Sequence, residues 1–94
     1  MKRAFGNVVY KLRKKANLTQ IEFADKSGLS QAEISLIEGG HRWPIPKTLT
    51  LLGKAFGLDP MEIMKFAYEE HNKPEAKKWR SLNDDDEEES YEIE

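Results

Sequence analysis

The sequence predicts an all-α domain of five short helices, and three observations carry that expectation. Apolar residues recur at helical spacing through most of residues 1–70, capping residues sign three helix starts, and no alternating apolar and polar run is long enough for a strand. A chain of 94 residues allows one compact domain. With 38% hydrophobic and 10% aromatic residues it can bury a modest core, and without cysteine its stability must come from packing. The division expected is a helical domain over 1–70, a polar extension over 71–82 that could form a short helix, and an acidic disordered tail over 83–94.

From Phe5 to Ala16 the apolar positions Phe5, Val8, Val9, Leu12 and Ala16 fall on one helical face, with Lys11, Lys14 and Lys15 opposite. Asn17 and Leu18 interrupt this first helix. Thr19 to Glu22 then form a capping box, in which each end side chain satisfies the other residue's free backbone N–H, and Leu18 and Phe23 staple it. The same pattern recurs at Ser30 to Glu33, stapled by Leu29 and Ile34. It returns at Asp59 to Glu62, stapled by Leu58 and Ile63, with Pro60 at the first helical position. A fourth helix runs from about Pro46 to Phe56, buries Leu49, Leu52 and Phe56, and stops at Gly57; Gly39 and Gly40 end the helix before it. The fifth helix fades near Glu70, ahead of Pro74. The eight acids of the tail leave only Tyr91 and Ile93 as apolar anchors, too few to offset the entropy of ordering.

Composition also narrows the function. No run of 18 apolar residues occurs, and Met1 to Ala16 has six basic side chains spread among its apolar ones, so neither a membrane span nor a signal peptide is expected and the protein is placed in the cytoplasm. The net charge of −2 hides a segregation of sign: up to Leu82 there are 15 basic residues against 9 acidic ones, while Asn83 to Glu94 carries 8 acids and no base. A basic body with an acidic tail favours nucleic-acid contact by the body. An enzyme is not expected: there is no nucleophile beside a base, no phosphate-cradling glycine loop and no metal-ligand cluster. Two histidines without cysteine make a metal site unexpected too, and no cofactor is implied.

The second and third helices are joined by only Ser27, Gly28 and Leu29, a short glycine-containing connection that signs a helix-turn-helix. Ala24 lies where the two helices cross, and Phe23, Leu29, Ile34 and Ile37 point inward. The run Leu18 to Ala24, then Ser27-Gly28-Leu29-Ser30, Ile34-Ser35, Ile37-Glu38-Gly39-Gly40, Arg42, Pro44 and Leu49, resembles the phage-repressor and Cro-like (Xre-type) helix-turn-helix family over about Phe5 to Ala67. The resemblance implies a five-helix, lambda-repressor-like DNA-binding domain. Its third helix would enter the major groove of double-stranded DNA and its second cross the backbone, usually in a dimer on a two-fold operator. Gly39 and Trp43 depart from the family's usual residues in the loop after the third helix.

On that third helix Ile34 and Ile37 define the inward face, which leaves Gln31, Ala32, Ser35 and Leu36 to meet base edges. Glutamine can engage adenine N6 and N7 together, and apolar side chains suit the thymine methyl, so Gln31 is the expected main reader with Ala32 and Leu36 on methyls. The alternatives are an exposed Gln31 without a role and a Leu36 packed on a neighbour. Glu33 is read as a cap rather than a cytosine reader. Phosphate donors are expected from Gln20 and Ser30 at two helix starts and from His41, Arg42, Trp43 and Lys47 after the third helix; a plain surface role is the alternative for His41. Gln20 resembles the family's phosphate-binding glutamine, and Arg13 and Glu38 resemble a family pair that ties the first helix to the end of the third.

The fifth helix offers Met61, Ile63, Met64, Phe66 and Tyr68, more apolar surface than one small core absorbs. Met61, Met64, Phe66 and Tyr68 are therefore expected in a homodimer interface that couples two half-sites, unless the segment 75–82 covers them. The tail of 12 residues can reach roughly 40 Å at about 3.3 Å per residue. It could compete with DNA phosphates, aid solubility, or contact a protein partner. The reading is thus a dimeric DNA-binding transcriptional regulator acting by occlusion as a repressor, with an antitoxin or protein-binding adaptor using helix five or the tail as the alternative.

Overall fold

Five helices pack around one core in the computed structural model, which describes residues 1–73: α1 (Lys2–Lys15), α2 (Gln20–Ser27), α3 (Gln31–Glu38), α4 (Pro46–Phe56) and α5 (Pro60–His71). Most of the proposed extension over 71–82 and all of the acidic tail lie outside the described residues. Among those described, no helix is long and apolar enough to cross a membrane.

The first helix begins at Lys2, ahead of its apolar stripe, because the Met1 carbonyl already accepts from the Phe5 N–H at 2.9 Å and closes the first turn. Ala4, Phe5, Val8, Val9 and Leu12 are buried as the spacing requires. Lys11 is a correction. It was expected on the solvent face, yet only 5% of it is exposed, because α1 packs against both α3 and α5 and buries a wide arc. Its Nζ lies 3.8 Å from Glu70 Oε1, a carboxylate fully buried in the last turn of α5. Asn7 Nδ2 donates to Glu70 Oε2, and Lys73 Nζ approaches Oε1 at 3.4 Å. The buried acid thus has two cations and an amide donor around it, which offset the cost of removing its charge from water.

The boundaries of the middle helices follow local chemistry. Thr19 Oγ1 accepts from the Glu22 N–H at 3.0 Å and Glu22 Oε1 accepts from the Thr19 N–H at 2.9 Å. The same reciprocal box joins Asp59 and Glu62. At Ser30 only half of the expected box forms. Ser30 Oγ accepts from the Glu33 N–H at 3.0 Å, but the Glu33 carboxylate turns toward α4, where the buried Thr48 Oγ1 donates to it at 3.4 Å. Glu33 therefore ties the start of α4 to α3.

The turn between α2 and α3 passes through Gly28 at φ +84°, where its N–H donates to the Ala24 carbonyl. An added Cβ there would meet nothing within 4 Å, so the turn needs the dihedral angle and not the space. The end of α3 also differs in detail. Gly39 stays right-handed, and Gly40 is the residue that turns left-handed, with His41 N–H donating to Leu36 O and Gly40 N–H to Ile37 O in a Schellman arrangement.

Phe5, Val8, Val9, Leu12, Phe23, Ile34, Ile37, Leu52, Ile63, Phe66 and Ala67 share the core, with Leu18, Ala24, Leu29, Leu49, Phe56 and Met64 packed at its edge. The rings of Phe23 and Phe56 stack with centroids 4.8 Å apart, which joins α2 to α4. Phe66 is a second correction. It is 8% exposed within a single chain, so it is core and not a surface residue awaiting a partner. Met64 is already partly buried, and the large apolar surface of α5 narrows to Met61 and Tyr68, 70% and 63% exposed.

Candidate nucleic-acid interface

The eight-residue α3 is held from behind and bare in front. Ile34 and Ile37 are fully buried, whereas Gln31, Ala32 and Ser35 are exposed and Leu36 sits on the margin at 36%. These four positions come together on one outward face at the start and middle of the helix. Behind them α1 crosses at unusually close range: a Cβ on Gly6 would lie 2.1 Å from the Ile37 carbonyl oxygen and 2.9 Å from that of Glu38. No sequence pattern pointed to Gly6, since a glycine inside a helix is read as a mild local cost until the opposing backbone is known.

A buried ion pair fixes the far end of α3. Arg13 Nε donates to Glu38 Oε2 at 2.7 Å and Nη2 donates to Oε1 at 3.0 Å, a two-pronged contact that suits the planar guanidinium. Arg13 Nη1 donates to the Leu18 carbonyl at 2.7 Å, so the same side chain also holds the entry to α2. Both partners are buried.

Gln20 engages both ends of its amide within the fold. Half-buried at the start of α2, it donates from Nε2 to Glu38 Oε1 at 3.1 Å, and its Oε1 accepts from Gln31 Nε2 at 3.5 Å. One N–H remains for a phosphate. Ser30 is exposed at the start of α3, and its hydroxyl oxygen is already the cap acceptor for Glu33. That leaves its hydrogen able to donate outward.

After α3 the chain runs through His41, Arg42 and Trp43 to Lys47 in the first turn of α4, all exposed. Trp43 is anchored, with its ring 5.6 Å from that of the buried Phe5 and tilted by 45°. Gly40 lies against Arg3 of the same helix end, so the N-terminal turn of α1 supports this loop. The His41 ring lies over Gly39, where an added Cβ would come within 2.8 Å of it. The Asn7, Lys11 and Glu70 cluster is on the α1 and α5 side and belongs to the support of the fold. Among the described residues no group of three or more His, Cys, Asp or Glu could hold a metal ion.

Two short helices joined through a left-handed glycine, with the second helix outermost and polar-faced, define a helix-turn-helix domain. The family model described as Helix-turn-helix matches residues 9–63, and the chain belongs to that family. It is 36% identical over 64 residues to an uncharacterized HTH-type transcriptional regulator, y4dJ, of Sinorhizobium fredii, a match covering 68% of this chain and 83% of the relative. Among solved structures it is similar to the restriction-modification controller protein C.Esp1396I, with 27% identity, a TM-score of 0.69, and coverage of 79% of this chain and 95% of that one. It is also similar to the controller protein C.AhdI of Aeromonas hydrophila, with 27% identity, a TM-score of 0.63, and coverage of 66% and 94%. The protein is a DNA-binding regulator of the Xre and Cro-like type.

Proposed function

We propose that the chain is a sequence-specific transcriptional regulator, a repressor that seats α3 in the major groove of a two-fold operator and excludes other proteins from the promoter. The observation that carries this is the outward row Gln31, Ala32, Ser35 and Leu36 on a helix whose opposite face is locked in the core. Gln31 is the main base reader, through a paired contact to adenine N6 and N7, with Ala32 and Leu36 against thymine methyls and Ser35 beside them. Ser30, Arg42 and Lys47 grip phosphates, joined by the remaining N–H of Gln20 and by the backbone and side chains of His41 and Trp43. Arg13 and Glu38 hold α3 in register and touch no base. A single small domain reaches few phosphates, so a homodimer through Met61, Tyr68 and the exposed part of Met64 couples two half-sites. Similarity to regulators and controller proteins supports a role in transcription.

Binding selection from random duplexes tests the reading, run on the parent protein and on Gln31→Ala. The parent should yield a two-fold site, and the variant should lose preference at one base pair in each half-site. A bidentate glutamine contact is worth about 1–3 kcal/mol of discrimination. An unaltered consensus would remove Gln31 from the readers.

A further inference from the structure

We propose that residues 75–82 form a docking helix that lies across the outer side of α1, with Trp79 against the Tyr10 ring, and leaves the Met61 and Tyr68 ridge of α5 open to a second copy. The outer side of α1 is closed to water although it faces away from the core. Buried residues run without a gap from Ala4 to Arg13, whereas a helix at the edge of a domain keeps one side in solvent. Gly6 and Arg13 meet α3, and Asn7 and Lys11 meet Glu70 of α5. At about 100° per residue, Tyr10 lies between those two contacts and opposite the stripe of Phe5, Val8 and Leu12. It is nonetheless only 5% exposed. Arg13 and Lys14 place their cations 5.3 and 5.9 Å from its ring centroid. An aromatic side chain has roughly 150–250 Å² to cover, more than two side chains of its own helix can take. The chain itself supplies the cover. Lys73 Nζ is 3.4 Å from Glu70 Oε1, the carboxylate that also receives Asn7 and Lys11, so the backbone leaves α5 beside α1 and within a turn of Tyr10. Pro74 then ends the helical run. In residues 75–82 Ala76, Trp79 and Leu82 fall on one helical stripe, with Lys77, Lys78 and Ser81 on the other side. Trp79 can be brought roughly 9 Å from Lys73 along a helix, or about 20 Å by extended chain. Met61 is half a turn round α5 from Glu70, and Tyr68 is close to that, so a segment seated on the Glu70 side leaves both uncovered. Their exposures of 70% and 63% agree.

Trp43 and Trp79 are the two tryptophans of the chain, so the full-length Trp43→Phe protein reports on Trp79 alone. Its emission should be shifted to shorter wavelength, and quenching by acrylamide should be several-fold weaker than in urea. Both should hold on dilution. Adding Tyr10→Ala should restore strong quenching, whereas adding Met61→Glu and Tyr68→Glu should leave it low. In the parent background the melting-point losses of Tyr10→Ala and Trp79→Ala should overlap, the double variant falling by less than their sum. Quenching as strong as in urea would show the segment undocked and overturn the proposal. Shielding that is lost on dilution would make a second copy the occupant, and shielding lost with Met61 and Tyr68 but kept without Tyr10 would put the segment on the α5 ridge; either result overturns it. The quenching and dilution arms decide the matter even where Tyr10→Ala fails to fold.

Discussion

Replacing Gly6 with alanine probes the contact that holds the reading helix against the rest of the fold. In an open helix this change stabilises by about 1 kcal/mol, because alanine is the better helix former. Here the new methyl would sit 2.1 Å from the Ile37 carbonyl oxygen, 2.9 Å from that of Glu38 and 3.1 Å from the Glu38 carbonyl carbon. All three are backbone atoms, so no side chain can rotate away. Restoring van der Waals contact requires α1 and α3 to separate by roughly 1 Å, in an interior packed too densely to absorb it. Overpacking of this kind costs about 1–3 kcal/mol, and a backbone obstacle places it at the upper end, for a net loss of about 2 kcal/mol after the helix-propensity gain. In a domain of this size that lowers the melting temperature by roughly 10 °C. Thermal unfolding followed by circular dichroism reads the shift, with Gly28→Ala as a control. There the side chain would have open space and the cost comes from φ +84° alone, about 1–2 kcal/mol. A Gly6→Ala protein as stable as the parent, or more so, would refute the close crossing and with it the account of how α3 is held.

Other outcomes follow from the same geometry. Arg13→Met or Glu38→Met alone should cost about 3–5 kcal/mol by leaving one buried charge unpaired, whereas the double replacement should recover most of that loss in urea denaturation; a double variant no better than the worse single one would contradict the assignment. Arg42→Ala should weaken binding to all duplex sequences alike and reduce the slope of log affinity against log salt by about one contact. A change confined to one sequence would make Arg42 a base reader. Because Met61 and Tyr68 are exposed in the single chain, replacing both by glutamate should leave the helical fold of each chain intact by circular dichroism. It should lower the dimer fraction in sedimentation and weaken binding to a two-fold site, and an unchanged dimer fraction would place the interface elsewhere.

What the amino-acid order determined on its own was local. The Thr19 and Glu22 box, the Asp59 and Glu62 box, Pro46 and Pro60 at helix starts, and Gly28 and Gly57 at helix ends all act between residues at most five positions apart, so their geometry is written in the spacing itself. The outward face of α3 was legible for the same reason: Ile34 and Ile37 define one side of an eight-residue helix, and Gln31, Ala32 and Ser35 must take the other. Tertiary structure alone decided whom each face meets. Lys11 and Glu70 are buried because α1 and α5 meet there, and Asn7 lies 63 residues from its acceptor on Glu70. Phe66 went to the core, Glu33 gave its carboxylate to Thr48, and Gln20 turned its amide inward to Glu38. A carboxylate or an amide has several possible partners of equal chemistry, and only the approach of another helix selects among them, so no local pattern can encode the choice.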